Sequence, residues 1–315
     1  MLKTAVYHAG ALGDFLTILP FLEGLKNGEP GCSTSLLSHP AHMELAELCG
    51  LVEEVRDIGS SALSFIFSSP HSDKSQKFCR SFGRAFCIAT RDNPVIRAFK
   101  SAKVQTYTQL PFPSDTTHVI DYHLHLLKQS DIRFSGRYYR MPISPEPQRN
   151  RVYFHPGSGS ARKNWPLSKF MKLSEMLRAD DFDVGWICGP AESGLRPKGE
   201  TVHHNHRISD LAKLIGTGAL YVGNDSGVSH LAAITGRPTI VLFGASNPLI
   251  WAPRGPNVRV VQSHQTICSP CHPAPPGKTC TSVCMEAIGV EEVHQECRKL
   301  LESALSQRSR LRNPD

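Results

Sequence analysis

Short apolar runs alternate along the chain with stretches whose apolar residues recur at helical spacing. Thr4-Ala5-Val6-Tyr7-His8 has the length and composition of a buried strand, and Gly10-Ala11-Leu12-Gly13-Asp14 turns it into a helix from about Phe15. Ser64-Phe65-Ile66-Phe67 and Phe86-Cys87-Ile88-Ala89 read as further strands. A proline-rich run from Met141 to Arg149 then breaks the pattern and reads as an interdomain linker. A second series follows, with strands at Arg151-Val152-Tyr153-Phe154-His155, Val184 to Cys188, Leu220-Tyr221-Val222, Thr239 to Phe243 and Val258 to Val261. Within it a helix starts at Trp165-Pro166-Leu167-Ser168 and runs to about Arg178. Such alternation in two blocks predicts an α/β protein, with two Rossmann-like doubly wound parallel-sheet domains, 1–145 and 146–315, facing each other across a cleft. In these sheets ligands bind outside the carboxyl ends of the strands, where the glycine-rich loops of this chain fall.

A length of 315 residues suits two domains, and an apolar fraction of 40 % is ample for two cores. The longest apolar run, around Thr239 to Phe243, is far too short to cross a hydrocarbon layer of about 30 Å. Met1-Leu2-Lys3 leads directly into the first strand without a signal-peptide apolar region. A soluble, cytoplasmic protein is expected. The formal charge of +7, from 35 Lys and Arg against 28 Asp and Glu, favours an acidic partner. Phosphorylated lipid, nucleic acid and nucleotide all remain open on charge alone.

Gly223-Asn224-Asp225-Ser226-Gly227-Val228-Ser229-His230 leaves a strand through glycine and enters a helix whose first turn is Asp-Ser-Gly. Backbone N–H groups and the positive helix end make such a turn a diphosphate site, although Asp225 or Ser226 would also serve as a plain helix cap. His155-Pro156-Gly157-Ser158-Gly159-Ser160 is a loop of small residues after a strand, followed by Lys163. It offers amides, hydroxyls and a cation to a leaving diphosphate, but lacks the lysine-serine ending of a P-loop. The turn at Gly10–Asp14 lacks the full dinucleotide fingerprint, which argues against a nicotinamide dehydrogenase. Asp14 there is placed either as a general base or as a helix cap.

These segments, with Lys163-Asn164-Trp165-Pro166, Leu19-Pro20, Gly244-Ala245-Ser246-Asn247-Pro248 and Trp251-Ala252-Pro253-Arg254-Gly255, carry a resemblance. The chain resembles the ADP-heptose:lipopolysaccharide heptosyltransferases, glycosyltransferase family nine, over nearly its whole length and most densely from 151 to 256. The resemblance implies a GT-B fold, with acceptor on the first domain, donor on the second and a last helix that crosses back to the first. It implies inverting transfer from ADP-heptose to an anionic lipopolysaccharide-core acceptor, with no cofactor or metal in catalysis and no nucleic acid as partner. Asp14 and Lys163 are then catalytic, Asp14 as general base and Lys163 at the donor phosphates. The expected donor-binding set is Gly13, Ser158, Ser160, Glu192, Asp225, Ser226, Gly227 and His230, with Glu192 holding the ribose. Another sugar donor, a protein acceptor, or an inactive sugar-nucleotide-binding protein are the alternative readings.

Lys77, Arg80 and Arg84 recur at helical spacing opposite Phe78 and Phe82, and the basic stretch continues through Arg91, Arg97, Lys100 and Lys103. It reads either as an acceptor patch that also rests on the cytoplasmic face of an inner membrane, or as a solvated basic face. Cys268, Cys271, Cys280 and Cys284, with His272 adjacent, have metal-ligand spacing. Structural zinc or iron is weighed there against reduced thiols or disulfides. His203, His204 and His206 are placed in a polar loop, and His118, His123 and His125 flank an apparent helix without sharing one face closely; neither group is given a role.

Overall fold

In a computed structural model the chain forms two compact units, Met1–Pro142 and Ile143–Asp315. The structure describes residues 2–143, 145–146, 148, 150–189, 197, 200–204, 207–263, 269, 271 and 282–312, with side chains to 304 in the last helix.

The first unit runs β1 (Lys3–His8), α1 (Leu12–Thr17), α2 (Leu19–Gly28), β2 (Ser33–Ser38), α3 (Pro40–Cys49), β3 (Glu54–Asp57), α4 (Ser64–Ser68) and α5 (Asp73–Arg80). It continues with β4 (Arg84–Ile88), α6 (Pro94–Ser101), β5 (Gln105–Gln109) and α7 (Val119–Gln129). All its strands are parallel, in the order β3-β2-β1-β4-β5. The order reverses between β1 and β4, so the crevice expected of a doubly wound sheet opens at their carboxyl ends. Ala5, Tyr7, Leu37 and Cys87 face a core closed by Ile66, Phe82 and Phe99. The opposite face is buried as well, through Val6, Leu36, Phe21 and Phe86. Burial on both faces gives the central strands their continuous apolar runs.

The second unit runs β6 (Arg151–His155), α8 (Leu167–Ala179), β7 (Asp183–Cys188), β8 (Val202–His204), α9 (Ile208–Gly216), β9 (Leu220–Asn224) and α10 (Gly227–Ile234). It ends with β10 (Thr239–Phe243), α11 (Pro248–Trp251), β11 (Val258–Gln262), α12 (Val283–Glu286) and α13 (Val290–Arg312). Its sheet is also parallel, ordered β11-β10-β9-β6-β7-β8, with the reversal between β6 and β9. Phe154, Trp165, Phe170 and Trp186 pack edge to face in a core that α13 completes with Cys297, Leu300 and Leu301. Among the described residues α13 lies against α8, where Lys172 pairs with Glu291 at 2.6 Å and His294 with Asp180 at 2.8 Å. No helix of the described residues is long and apolar enough to cross a membrane.

Two expectations are corrected. Ser64-Phe65-Ile66-Phe67 is a helix, α4, rather than a strand. A four-residue apolar run does not by itself separate strand from buried helix, and here Ile66 alone is buried, against α6. His203 and His204 stand on β8, not in a loop, and the His203 ring meets Tyr153 edge-on at 5.7 Å.

Candidate active site

The second unit brings its two singled-out loops together because β6 and β9 are neighbours at the reversal of strand order. Asn224, the last residue of β9, ties them: its Nδ2 donates to Pro156 O at 2.8 Å and its Oδ1 accepts from the Trp165 amide at 3.0 Å. Trp165 is buried and anchored again through Nε1 to Ile288 O at 3.1 Å. The loop between is bound to itself, since Ser158 Oγ lies 2.7 Å from Ser160 O, 2.6 Å from Asn164 Oδ1 and 3.2 Å from the Ser160 amide. Such internal bonding holds Lys163 where the loop delivers it.

Lys163 Nζ meets Asp225 Oδ2 at 2.7 Å, and the Ser246 hydroxyl donates to the same oxygen. Asp225 is buried while Lys163 is partly exposed. An ammonium has three N–H donors, so one bond to Asp225 leaves two for another acceptor. Ser226 caps α10, accepting from the Ser229 amide at 3.3 Å, and Ser226, Gly227 and Val228 are partly exposed. Ser229 beneath them donates to Asn224 O at 2.5 Å and meets Tyr221 Oη at 3.1 Å. A Cβ at Gly223 would stand 2.4 Å from Tyr221 Oη, so the close approach needs glycine there. His230 lies one turn into α10, fully inside the unit. Burial lowers its pKa below the ordinary value, the Asp225 charge opposes this, Lys163 adds to it, and a backbone bond with Trp251 opposes it. The imidazole is therefore neutral at pH 7. His155, at the end of β6, is pushed down to about 4 by burial.

In the first unit Asp14 is the third residue of α1, and its Oδ2 accepts from the Ala11 amide at 3.0 Å. The carboxylate thus caps the helix it belongs to, and it is only partly buried, at the carboxyl end of β1. Gly13 precedes it within the same turn. A Cβ at Gly10 would lie 2.9 Å from Asp14 Oδ2 and 2.9 Å from His8 Cε1, which explains the glycine. Three histidines, His8, His39 and His42, lie at this turn, and His123 is near enough to His8 to act on its charge. The rings of His8 and His42 are 6.0 Å apart and those of His39 and His42 5.7 Å, and His42 stacks on Phe15 at 4.5 Å. Ser38 Oγ bridges His8 O at 2.6 Å and His42 Nδ1 at 2.9 Å. His8 and His123 are pushed down to about 3 and His42 to about 4, all chiefly by burial, with the neighbouring imidazoles adding to the effect on His8 and His42. Nothing in the linear sequence brings these histidines together. Their one linear signal is a histidine closing β1 and another just past the end of β2.

The expected basic face is corrected. Lys77 and Arg80 are exposed on α5, but that helix ends at Arg80. Arg84 lies on β4, buried, with Nε donating to Thr4 Oγ1 at 2.9 Å and the guanidinium paired with Glu29. Burial there lowers its pKa. Glu192, Cys268 and Cys280 lie outside the described residues. Cys271 and Cys284 converge on the turn after β10: the Cys271 amide donates to Ala245 O at 2.7 Å, and the Cys284 thiol lies 2.9 Å from where a Gly244 Cβ would stand. Among the described residues no three His, Cys, Asp or Glu side chains are grouped to hold a metal ion.

The family model described as glycosyltransferase family 9 (heptosyltransferase) matches residues 76–278. That match begins after the Gly10–Asp14 turn and includes the whole Lys163–Asp225 site. Among curated proteins, lipopolysaccharide heptosyltransferase 3 of Escherichia coli (strain K12) is 29 % identical over 118 residues, 34 % of this chain and 34 % of that protein. The chain thus aligns with about a third of the length of that relative. A solved structure of a glycosyl transferase family 9 protein from Veillonella parvula DSM 2008 superposes with a TM-score of 0.76 at 16 % identity, covering 96 % of this chain and 97 % of that one. The ADP-heptose LPS heptosyltransferase II of E. coli gives 0.73 at 15 % identity, covering 96 % and 99 %. At these identities the likeness is one of fold, a GT-B pair of parallel-sheet units.

Proposed function

The chain belongs to glycosyltransferase family 9 (heptosyltransferase), and from that premise we propose that it transfers a heptose from ADP-heptose to a lipopolysaccharide-core acceptor with inversion. The observation that carries the reading is the Lys163–Asp225–Ser246 network beside the capped start of α10, at the reversal of strand order. The likeness to an ADP-heptose LPS heptosyltransferase supports the choice of donor.

In this mechanism Asp14 accepts the proton of the acceptor hydroxyl, whose oxygen attacks the anomeric carbon as the bond to the diphosphate breaks. The electron pair leaves with ADP. Charge growing on the diphosphate is met by the Lys163 ammonium and the amides at the start of α10, both held in place before the reaction. Asp225 and Ser246 aim the lysine, and His230 stays neutral and offers a hydrogen bond without competing charge. Ser158, Ser160, Ser226 and Gly227 line the donor side, with Glu192 on the ribose and Gly13 beside the base. The acceptor is anionic, and Lys77 and Arg80 supply peripheral contact with the cytoplasmic face of a membrane.

Calorimetric titration with ADP, UDP and GDP tests the donor site. ADP is expected to bind selectively and Lys163→Ala to weaken it, whereas preference for UDP or GDP overturns the heptose assignment. With ADP-heptose and core acceptor, Asp14→Asn and Lys163→Ala should each lower kcat by about 10²–10³. Near-normal turnover in Asp14→Asn removes it as the base.

The cysteine set belongs to the same proposal as a structural zinc or iron site. Support comes from the two described members, the Cys271 backbone and the Cys284 thiol both meeting one turn at the end of β10, and from thiolates being favoured donors for either metal. About one metal ion per chain is expected in anaerobically purified protein, the four thiolates making one four-coordinate site. Elemental analysis finding none would sink the assignment.

A further inference from the structure

Within the first unit, on the same carboxyl edge of the sheet as the Gly10–Asp14 turn, a cavity of about 500 Å³ opens between the ends of β4 and β5 and the helices α6 and α7. Its wall includes Arg91, Lys100, Thr108, Gln109, Tyr122 and His125. Arg91 and Lys100 are exposed, and neither forms an ion pair with another described residue. Gln109 is fixed by its Nε2, which donates to Tyr122 O at 2.7 Å, while its Oε1 is buried without a hydrogen-bond partner.

An amide oxygen out of water and without a donor is an unfavourable arrangement that a ligand hydroxyl relieves. The hydroxyl of Thr108 and the ring of Tyr122 complete a wall suited to a sugar, with polar groups for its hydroxyls and an aromatic body for its C–H face. The guanidinium and ammonium add recognition of a carboxylate or phosphate.

The sheet also sets the distance to the turn. His8 is in register with Ile88, and Ile88 with Gln109, so the three form one row across β1, β4 and β5. Two strand spacings put Gln109 about 10 Å from His8, a span of about two sugar residues. His8 in turn touches the Gly10–Asp14 turn.

We propose that this cavity seats an acidic sugar residue of the acceptor, its carboxylate or phosphate held by Arg91 and Lys100 and a hydroxyl by Gln109, about two sugar residues from the hydroxyl that Asp14 deprotonates. The proposal rests on the transfer reading for Asp14, but its binding test does not need turnover.

Ligand-observed NMR on the full chain, without donor, compares glucuronate, glucose 6-phosphate, glucose and inorganic phosphate. At least one acidic sugar should bind, with glucose and inorganic phosphate weaker by about tenfold or more. The tighter of the two acidic sugars names the acid. Arg91→Ala/Lys100→Ala should cost the acidic sugar about tenfold or more in affinity with an unchanged melting temperature, since both side chains are exposed. Equal binding by the double variant overturns the proposal, as does inorganic phosphate or glucose binding as tightly as the acidic sugars. Transfer at unchanged acceptor KM in the double variant overturns the cavity alone. Acidic-sugar binding without transfer from any donor sustains the cavity as a saccharide site and sinks the transferase reading.

Discussion

Arg84 has basic neighbours in the sequence, yet its side chain is 7 % exposed and its guanidinium is held by Glu29 and Thr4. Removing one member of such a pair leaves the other charge poorly compensated, at a cost of about 3–5 kcal/mol for a fully buried pair. Glu29 keeps 29 % exposure, so water offsets part of that. Arg84→Ala should therefore lower unfolding free energy by about 2–3 kcal/mol in urea titrations and leave acceptor KM unchanged. A raised KM with unaltered stability would return Arg84 to acceptor binding. Asp14 shows the converse ambiguity: its carboxylate does cap α1, and a cap at a partly exposed strand end is also where a base would stand. Local sequence names the capping chemistry of such a residue but not what lies across from it. Lys163 and Asp225 are 62 positions apart, and their 2.7 Å contact exists only because β6 and β9 pair.

At the scale of elements, legibility followed apolar character, and the edge strand β11 reads from its valines although only Val261 in it is buried. β4, β9 and β10 are buried at every position and read plainly as apolar runs. β3 (Glu-Val-Arg-Asp) and β5 (Gln-Thr-Tyr-Thr-Gln) are edge strands with no fully buried residue. Their polarity is what an edge tolerates, and it removes the apolar signal. β2 (Ser-Thr-Ser-Leu-Leu-Ser) is nearly all buried, but four of its six residues carry hydroxyls, satisfied in part by Ser35 to Glu54 at 2.8 Å and Ser38 to His8 O. Trp165 works across elements. Its two hydrogen bonds, to Asn224 and Ile288, fasten the Lys163 loop to β9 and to the segment entering α13.

At the scale of the whole molecule, each unit has its own sheet, core and reversal of strand order, and Asp14 in one and Lys163 with Asp225 in the other stand at that reversal. Of the buried histidines, His8, His42 and His123 in the first unit and His155 in the second make acid sensitivity a property of both units. His8 and His123 sit at about 3, His42 and His155 at about 4, against about 6.5 in the unfolded chain. Between these values the unfolded chain takes up protons that the folded chain refuses. Stability is thus full above about pH 6.5 and falls with pH toward 4, by up to about 1.4 kcal/mol per pH unit for each histidine. Urea titrations from pH 7 to pH 4 should show this slope, and His123→Leu should reduce it by one proton. An unchanged slope in that variant would assign the uptake to other groups.

The sequence by itself determined the two-block α/β architecture, the central strands and the positions of the glycine-rich loops, because burial period, glycine placement and helix-capping residues are local properties of the chain. Tertiary structure alone decided the pairing of Lys163 with Asp225, the withdrawal of Arg84 into β4, the gathering of His8, His39 and His42 beside Asp14, and the row from His8 through Ile88 to Gln109 that ends in the cavity. Each of these depends on strand order and register. Strand order is a long-range outcome of how sheet faces are covered, and no window of neighbouring residues encodes it.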